Sequence, residues 1–167
     1  MLLAVPVGIG IALFIAYYAN KRLGSALGFV TDLLAAVPSI IFGMWGLSFL
    51  MPQMQGFLQW LATYFAWIPL FQNDLGIYTR SVMIAGTVLA IMVLPTVSAI
   101  SREVFLQVPR EHVEAALALG ATRWEMVRMA VFPFARPGMI SASMLGLGRA
   151  LGETIAVALV LSATYTI

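Results

Sequence analysis

Long apolar stretches separated by short polar segments run along the whole chain. A membrane-spanning helix needs about 20 apolar residues to cross roughly 30 Å of hydrocarbon. Four stretches meet this length closely, at about residues 2–19, 29–51, 81–100 and 138–161. The pattern therefore predicts four membrane-spanning helices.

Polar residues and prolines mark the limits and bends of these predicted spans. Asn20, Lys21 and Arg22 end the first apolar run, and residues 25–31 are predicted to be a short connection. Pro38 lies inside the second run, where a proline kinks a helix and frees a backbone carbonyl. We therefore expect a kinked second span.

Residues 53–71 show a different pattern. Apolar side chains recur at helical spacing and so form one face of a helix, while the glutamines lie outside that face. Trp60, Tyr64 and Trp67 favour the boundary between membrane and water. This predicts an amphipathic helix at the outer interface, followed by a turn at 72–76. A further span is the alternative, but it would put Lys21 and the arginines of residues 102–136 on opposite sides of the membrane, against the positive-inside tendency.

Composition identifies the chain as an integral membrane protein. Hydrophobic residues make up 62% and charged residues 10%, whereas soluble domains have about 45–50% and about 25%. The length suggests one domain, and the absence of cysteine excludes disulfides and thiolate metal sites. The net charge is only +2, so membrane topology explains the basic residues better than nucleic-acid binding does.

A charged insert interrupts the apolar pattern at residues 108–125. Pro109 suits a first helical turn, strong helix formers follow, and Gly120 is predicted to end the helix. Thr122 and Glu125 have the spacing of a capping box, which predicts a second short helix immediately afterwards. Five arginines lie in or beside the insert and indicate a cytoplasmic loop over about residues 102–136: Arg102, Arg110, Arg123, Arg128 and Arg136.

The insert resembles the EAA loop of ABC-importer permeases, which reads Glu-Ala-Ala, three residues, Gly, nine residues, Ile-x-Leu-Pro. Glu114-Ala115-Ala116, Gly120 and Pro133 match its spacing, while residues 130–133 read Ala-Val-Phe-Pro, so only the Pro of the last group is kept. The resemblance implies that the loop docks on a separate ATPase subunit. It assigns this coupling to Glu114, Ala115, Ala116, Gly120, Thr122 and Arg123. A plain solvated helix between two spans is the alternative.

Arg149 and Glu153 lie in the fourth apolar run, where a charge costs on the order of 2.5–3.5 kcal/mol. Being four residues apart, they are expected to share a helix face and can pair. The pair could fix helix packing. Alternatively, Arg149 could bind an anionic substrate, with Glu153 neutralising it when the path is empty and Thr96, Ser98 and Thr154 adding neutral donors.

The surrounding sequence resembles the permease subunits of ABC phosphate importers. The resemblance rests on residues 144–157, Met-Leu-Gly-Leu-Gly-Arg-Ala-Leu-Gly-Glu-Thr-Ile-Ala-Val, with Val37-Pro-Ser-Ile40 and Leu94-Pro-Thr96. Of the two permease subunits in these importers, it favours the one that lacks Ala-Pro after Gly-Glu-Thr. It implies an all-α, polytopic bundle of the type I importer core in a bacterial plasma membrane, with phosphate translocated at Arg149 and Glu153. The implied partners are an ATPase, a second permease subunit and an extracytoplasmic phosphate-binding protein.

Other functions stay open. The sister permease subunit and sulfate or molybdate permeases share the loop, and an ion channel or a membrane-embedded enzyme using Arg149 and Glu153 would be a different class. The chain carries one histidine, His112, and no phosphate-cradling glycine loop, so we expect no metal, no cofactor and no ATP hydrolysis by this chain. No cleavable signal is evident. Because both ends adjoin apolar sequence, we expect a piece of a longer permease that lacks an amino-terminal pair of spans and a carboxy-terminal span.

Overall fold

A computed structural model of the protein describes residues 1–64 and 82–161. Every regular element in these ranges is helical. The helices are α1 (Ala4–Leu13), α2 (Lys21–Ala35), α3 (Ser39–Trp45), α4 (Met51–Tyr64), α5 (Val82–Leu106), α6 (Arg110–Ala118), α7 (Arg123–Met126), α8 (Phe132–Gly152) and α9 (Ile155–Leu161). The all-α class predicted from the sequence is confirmed for these residues.

The chain forms two compact units. The first contains Met1–Ala36 and Val93–Ala150, and the second contains Val37–Met92 and Leu151–Ile167. The first unit therefore holds the charged insert and Arg149, while the second holds Glu153.

Within the first unit, the Val93–Leu106 part of α5 packs closely against α1 and α8. A Cβ added to Gly8 of α1 would lie 3.2 Å from the Leu94 carbonyl oxygen, and one added to Gly146 of α8 would lie 2.7 Å from a Val97 methyl group. Gly138 meets Val104 in the same way. The small residues at these positions let the helix backbones approach, as glycine ladders do in membrane bundles.

A hydrophobic core lies under the charged insert in the first unit. It joins α1, the end of α5 and the start of α8 to the insert, through Ala12, Leu13, Phe105, Val108, Met126, Val127, Val131 and Ala135. Val113 and Ala116 of α6 pack against it. The hydroxyl of Tyr17 donates to the Phe105 carbonyl oxygen at 2.9 Å, which satisfies an acceptor in the last turn of α5.

The second unit has its own core. Ile84, Ala85 and Val88 of α5 pack with Val160 of α9, and partly buried residues of α3 and α4 surround them. A Cβ on Gly46 would lie 2.5 Å from a Val88 methyl group, so the chain approaches α5 closely here as well.

Within residues 1–64 and 82–161, three five-residue π-helical turns interrupt the α-helices, at Phe14–Tyr18, Gly46–Leu50 and Val127–Val131. The second and third are each followed two residues later by a proline, Pro52 and Pro133. A proline ring clashes with the carbonyl four residues earlier in a regular α-helix. Hydrogen bonds that reach five residues back widen the turn that the ring enters, so both prolines are accommodated without a helix end.

By length and composition, one helix of the described residues could cross a membrane alone, Met83–Leu106. A second candidate arises only if Lys21–Ala35 and Ser39–Met54 are counted as one span, and Ala4–Tyr18 is apolar but shorter. That the predicted runs cross a bilayer stays a prediction.

The second predicted span differs most from the observed helices. Residues 25–31 are not a connection, because they lie inside α2, whose start is capped by the Asn20 side chain accepting from the Leu23 N–H at 2.8 Å. Pro38 does more than kink a helix. The helix ends at Ala35, and Pro38 becomes the N-cap of α3, since the residue before a proline disfavours the helical conformation.

The amphipathic segment predicted at 53–71 is helical from Met51 to Tyr64. Trp60 and Tyr64 are exposed, and their rings are 5.4 Å apart. The rest of this segment, and the turn predicted at 72–76, lie outside the described residues.

Candidate coupling elbow and arginine site

The charged insert forms two short helices that meet at Gly120, and we call residues 108–126 the coupling elbow. α6 ends in a Schellman pattern, in which the Ala121 N–H donates to the Ala116 carbonyl at 3.2 Å and the Gly120 N–H donates to the Leu117 carbonyl at 3.0 Å. Gly120 has φ +84°, a conformation that favours glycine. The predicted glycine stop is confirmed.

A complete capping box starts α7. The Thr122 hydroxyl accepts from the Glu125 N–H at 3.3 Å, and the Glu125 carboxylate accepts from the Thr122 N–H at 2.7 Å and from the Thr122 hydroxyl at 2.8 Å. These bonds, from the backbone first and then the side chain, hold the pKa of Glu125 below its usual value. The predicted capping box is confirmed.

The six residues assigned to ATPase coupling gather on this elbow. Glu114, Ala115, Gly120, Thr122 and Arg123 are exposed, whereas Ala116 is partly buried against the core. The two alanines of the Glu-Ala-Ala triplet therefore face different surroundings, one open to a partner and one packed inside the first unit.

Large apolar side chains also lie open on the elbow. Leu119 is 88% exposed and Trp124 is 55% exposed, with the Trp124 ring edge against Phe132 at a centroid distance of 6.3 Å. His112 is exposed and contacts Phe134 edge to face. Exposed apolar groups beside charged ones are typical of an interaction surface.

Arg149 extends from α8 to two other segments of the first unit. Its Nη1 donates to the Thr96 hydroxyl oxygen of α5 at 2.7 Å and to the Ala35 carbonyl oxygen at 3.0 Å. Ala35 is the last residue of α2, so the guanidinium sits at the negative end of that helix, where a cation is favourable. Arg149 thus connects three helices that are distant in sequence.

Glu153 lies after the end of α8. Helix α8 stops at Gly152, Glu153 and Thr154 are not helical, and α9 starts at Ile155. The Glu153 carboxylate accepts from the Ala156 N–H at 3.1 Å, which satisfies an N–H in the first turn of α9. A carboxylate is also favourable at this positive helix end.

The prediction of one helix through residues 138–161, with Arg149 and Glu153 on one face, is therefore wrong. A glycine that ends a helix, followed by a threonine that commonly precedes one, is the local signal for this break. The spacing of four residues gives a shared face only in a continuous helix. Arg149 belongs to the first unit and Glu153 to the second.

The other polar residues suggested beside the arginine have separate surroundings. Thr96 is buried and accepts from Arg149. Ser98 is fully buried in the first unit, and its hydroxyl has no hydrogen-bond partner among the residues that the structure covers. Thr154 is exposed at the helix break. Of these three residues, Thr96 is the one for which the described part of the chain shows a bond to the arginine.

A second arginine site was not predicted from the sequence. Arg102 Nη2 lies 2.8 Å from an Asp32 carboxylate oxygen, with the arginine side chain 18% exposed and the aspartate 48% exposed. A Cβ on Gly28 would overlap Arg102 Nη1, so the missing side chain makes room for the guanidinium. Opposite charges 70 residues apart give no local signal, although Gly28 and Asp32 are four residues apart and so share a helix face.

Comparison with known proteins decides the family. The family described as binding-protein-dependent transport system inner membrane component matches residues 6–166. The chain belongs to this family. Its members are membrane transport components and not enzymes, which agrees with the ABC-importer permease resemblance of the elbow.

Curated relatives of this transport component are named as phosphate permeases. The phosphate transport system permease protein PstC 2 of Mycobacterium tuberculosis is 52% identical over 163 residues, covering 96% of this chain and 50% of the relative. PstC of Xylella fastidiosa is 49% identical over 167 residues, covering 96% and 51%. PstC of Mesorhizobium japonicum is 41% identical over 175 residues, covering 100% and 52%. The chain spans about half the length of these relatives.

Proposed function

We propose that this chain belongs to a permease subunit of the PstC kind, which moves inorganic phosphate through a bacterial plasma membrane at the expense of ATP. The similarity to PstC proteins over nearly the whole chain carries this proposal. The subunit would cross the membrane several times, with the coupling elbow in the cytoplasm because of its arginines.

The elbow would receive the ATPase subunit. Its docking residues are Glu114, Ala115 and Ala116 of α6 with Gly120, Thr122 and Arg123 after the turn. Exposed Ala115 lets a partner approach the helix backbone closely, and exposed Leu119 and Trp124 supply apolar contact area. The rigid capping box and the Schellman turn support this role, since a docking element that transmits force must keep its shape.

Arg149 would bind phosphate. Its Nη1 donates to the Thr96 hydroxyl oxygen, which orients it, and to the neutral Ala35 carbonyl oxygen, which phosphate would displace. Because the planar guanidinium can bond two charged phosphate oxygens at once, phosphate competes well with a single neutral carbonyl oxygen for it. Binding would then release the end of α2. Glu153 is proposed by itself as a further charged residue used in translocation.

The mechanism we propose is alternating access. ATP binding closes the ATPase subunits, the elbow moves with them, and α5 and α8 tilt so that Arg149 is open to phosphate delivered by an extracytoplasmic binding protein. ATP hydrolysis reverses the movement. A second permease subunit completes the path, and ATP binds to the ATPase and not to this chain.

Uptake of labelled phosphate tests the proposal. Vesicles would contain the permease with its second permease subunit, ATPase and binding protein, and uptake would be measured with ATP, with sulfate and molybdate as competitors. We expect ATP-dependent phosphate uptake that the competitors do not reduce. Uptake of sulfate or molybdate in place of phosphate would refute the substrate and leave the permease function standing.

Arg149→Leu and Arg149→Lys separate the arginine's roles. Leu removes the charge, and Lys keeps it without the planar fork that bonds two oxygens at once. If Arg149 binds phosphate, Leu abolishes uptake in an assembled complex and Lys retains part of it with a weaker affinity. Normal transport by Arg149→Leu would mean that the arginine only packs helices.

A further inference from the structure

Helix α2 presents one face to two arginines of the first unit. Gly28, Asp32 and Ala35 are spaced four and three residues apart, so they lie along one side of the helix. Arg102 contacts the first two, and Arg149 bonds to the carbonyl of the third. The same helix side therefore connects the inner end of α5 with the proposed phosphate-binding arginine.

Arg102 is fixed by shape as well as by charge. Its Nη2 pairs with Asp32 at 2.8 Å, and its Nη1 lies over the bare backbone of Gly28. Its Nε is buried and has no partner in the part of the chain that the structure describes. The guanidinium thus lies against α2 at two points, so a shift of α5 at this position would be passed to α2.

Arg102 is also close to the elbow along the chain. Three residues later, Phe105 lies in the core that holds Val108 and Met126 of the coupling elbow, and its carbonyl accepts from Tyr17. α5 is continuous from Arg102 to Leu106, and Pro109 starts α6 soon afterwards. Movement of the elbow would reach Arg102 through the last turn of α5 and through the core that contains Phe105.

We propose that Asp32 and Arg102 are positioning residues that transmit movement of the coupling elbow to Arg149 through α2. The ion pair moves α2, and the end of α2 at Ala35 moves the oxygen that holds the Arg149 guanidinium. Neither residue touches phosphate. This inference rests on the proposed function, since it assigns a route between its docking element and its substrate site.

The ion pair between Asp32 and Arg102 contributes more to coupling than to the stability of the fold. Ion pairs that are partly exposed contribute little to folding, and Asp32 is about half exposed. α2 itself is held by its Asn20 cap and fifteen-residue length, so it keeps its form when the pair is removed. Loss of the pair should therefore leave an assembled complex in which ATP hydrolysis and phosphate transport are no longer linked.

The experiment measures phosphate uptake and ATP hydrolysis together in vesicles that hold the complete complex. For Asp32→Asn and Arg102→Gln, we expect binding-protein-stimulated ATP hydrolysis to persist while phosphate carried per ATP falls about fivefold, a change in the range known for coupling networks. The double variant should be no worse than either single one, because the two residues act as a unit. Asp32→Glu keeps the charge and should recover most of the coupling.

Gly28→Ala tests the geometry without changing a charge. The added Cβ would overlap Arg102 Nη1, so the guanidinium must move away and coupling should fall as in Asp32→Asn. Gly10→Ala in α1 is the matched control, because its Cβ would meet nothing within 4 Å, and it should behave as wild type.

Three results would overturn the inference. One is unchanged phosphate per ATP in Asp32→Asn and Gly28→Ala. Another is an additive loss in the double variant. The third is failure of Asp32→Asn to assemble while Asp32→Glu assembles, which would make the pair a determinant of assembly. Failure of the proposed function looks different, because the wild-type complex would then carry no phosphate at all.

Discussion

The Arg149 guanidinium donates to the Thr96 hydroxyl oxygen at 2.7 Å, across 53 residues of sequence. Thr96 is buried, with 9% of its surface exposed, so this bond is made in a place that excludes most water. The threonine therefore orients the arginine, and its own donor is left for another acceptor.

Thr96→Val keeps the side-chain shape and removes the acceptor, whereas Thr96→Ser keeps the acceptor. Loss of a hydrogen bond to a charged group should raise the apparent Kd for phosphate about tenfold in the Val variant. Uptake of phosphate, measured across a range of phosphate concentrations, gives this apparent Kd. Equal affinity of the Val and Ser variants would show that Thr96 does not orient Arg149.

The two alanines of the elbow should respond differently to a larger side chain. Ala115 is exposed, so Ala115→Leu should leave the unfolding temperature unchanged and prevent the ATPase subunit from co-purifying. Ala116 packs against the core, so Ala116→Leu should cost about 1–3 kcal/mol through overpacking. Thermal unfolding and co-purification separate these effects. Normal ATPase recovery with Ala115→Leu would contradict docking at this surface.

Gly146 and Gly148 of α8 provide another matched pair. A Cβ on Gly146 would meet Val97 and Val93 side chains at 2.7 and 2.9 Å, while one on Gly148 would meet nothing within 4 Å. Gly146→Ala should therefore lower stability by about 1–3 kcal/mol through overpacking. Gly148→Ala should be neutral or raise stability by up to about 1 kcal/mol through helix propensity. Thermal unfolding of the purified protein in detergent measures both effects. A Gly148→Ala variant that is less stable than the Gly146→Ala variant would contradict this packing.

Stability of the elbow should depend on pH through Glu125. The folded state holds the pKa of Glu125 below the ordinary value of 4.5, so folding favours the ionised carboxylate. This stabilisation is complete above the unfolded pKa and is lost as the pH falls through the lower folded pKa. The protection factors for amide exchange of residues 123–126, which correct for the intrinsic effect of pH on exchange, should therefore fall at acidic pH. Glu125→Gln should remove that dependence, and an unchanged dependence would assign it to another group.

The elbow could be predicted from sequence because its structure is set locally. Gly120, Thr122 and Glu125 act on backbone groups no more than a few residues away, so their spacing specifies the turn and the cap. The small residues Gly138, Ala142 and Gly146 of α8 follow a local pattern too, since they recur four residues apart and face the interior of the first unit.

The connection predicted at residues 25–31 was wrong because these residues lie inside α2, where they pack through tertiary contacts. Gly28 serves a tertiary contact, the approach of Arg102, and Gly24 faces the Ile15 carbonyl oxygen at 3.2 Å from an added Cβ. Likewise, two partners of Arg149, Thr96 and Ala35, lie 53 and 114 residues away. No local pattern carries such contacts, so the expected partner was the nearest opposite charge.

The π-helical turn before Pro133 has a consequence for how the end of the elbow and α8 are aligned. A turn whose hydrogen bonds reach five residues back contains about one residue more than an α-helical turn. Each such residue rotates everything that follows by roughly 100° around the axis. A helical wheel that treats residues 123–152 as one regular α-helix would therefore place Arg149 more than a quarter of a circle from its true position. Deleting one residue from 127–131 would turn the guanidinium away from Thr96 while the composition of the helix stayed almost the same.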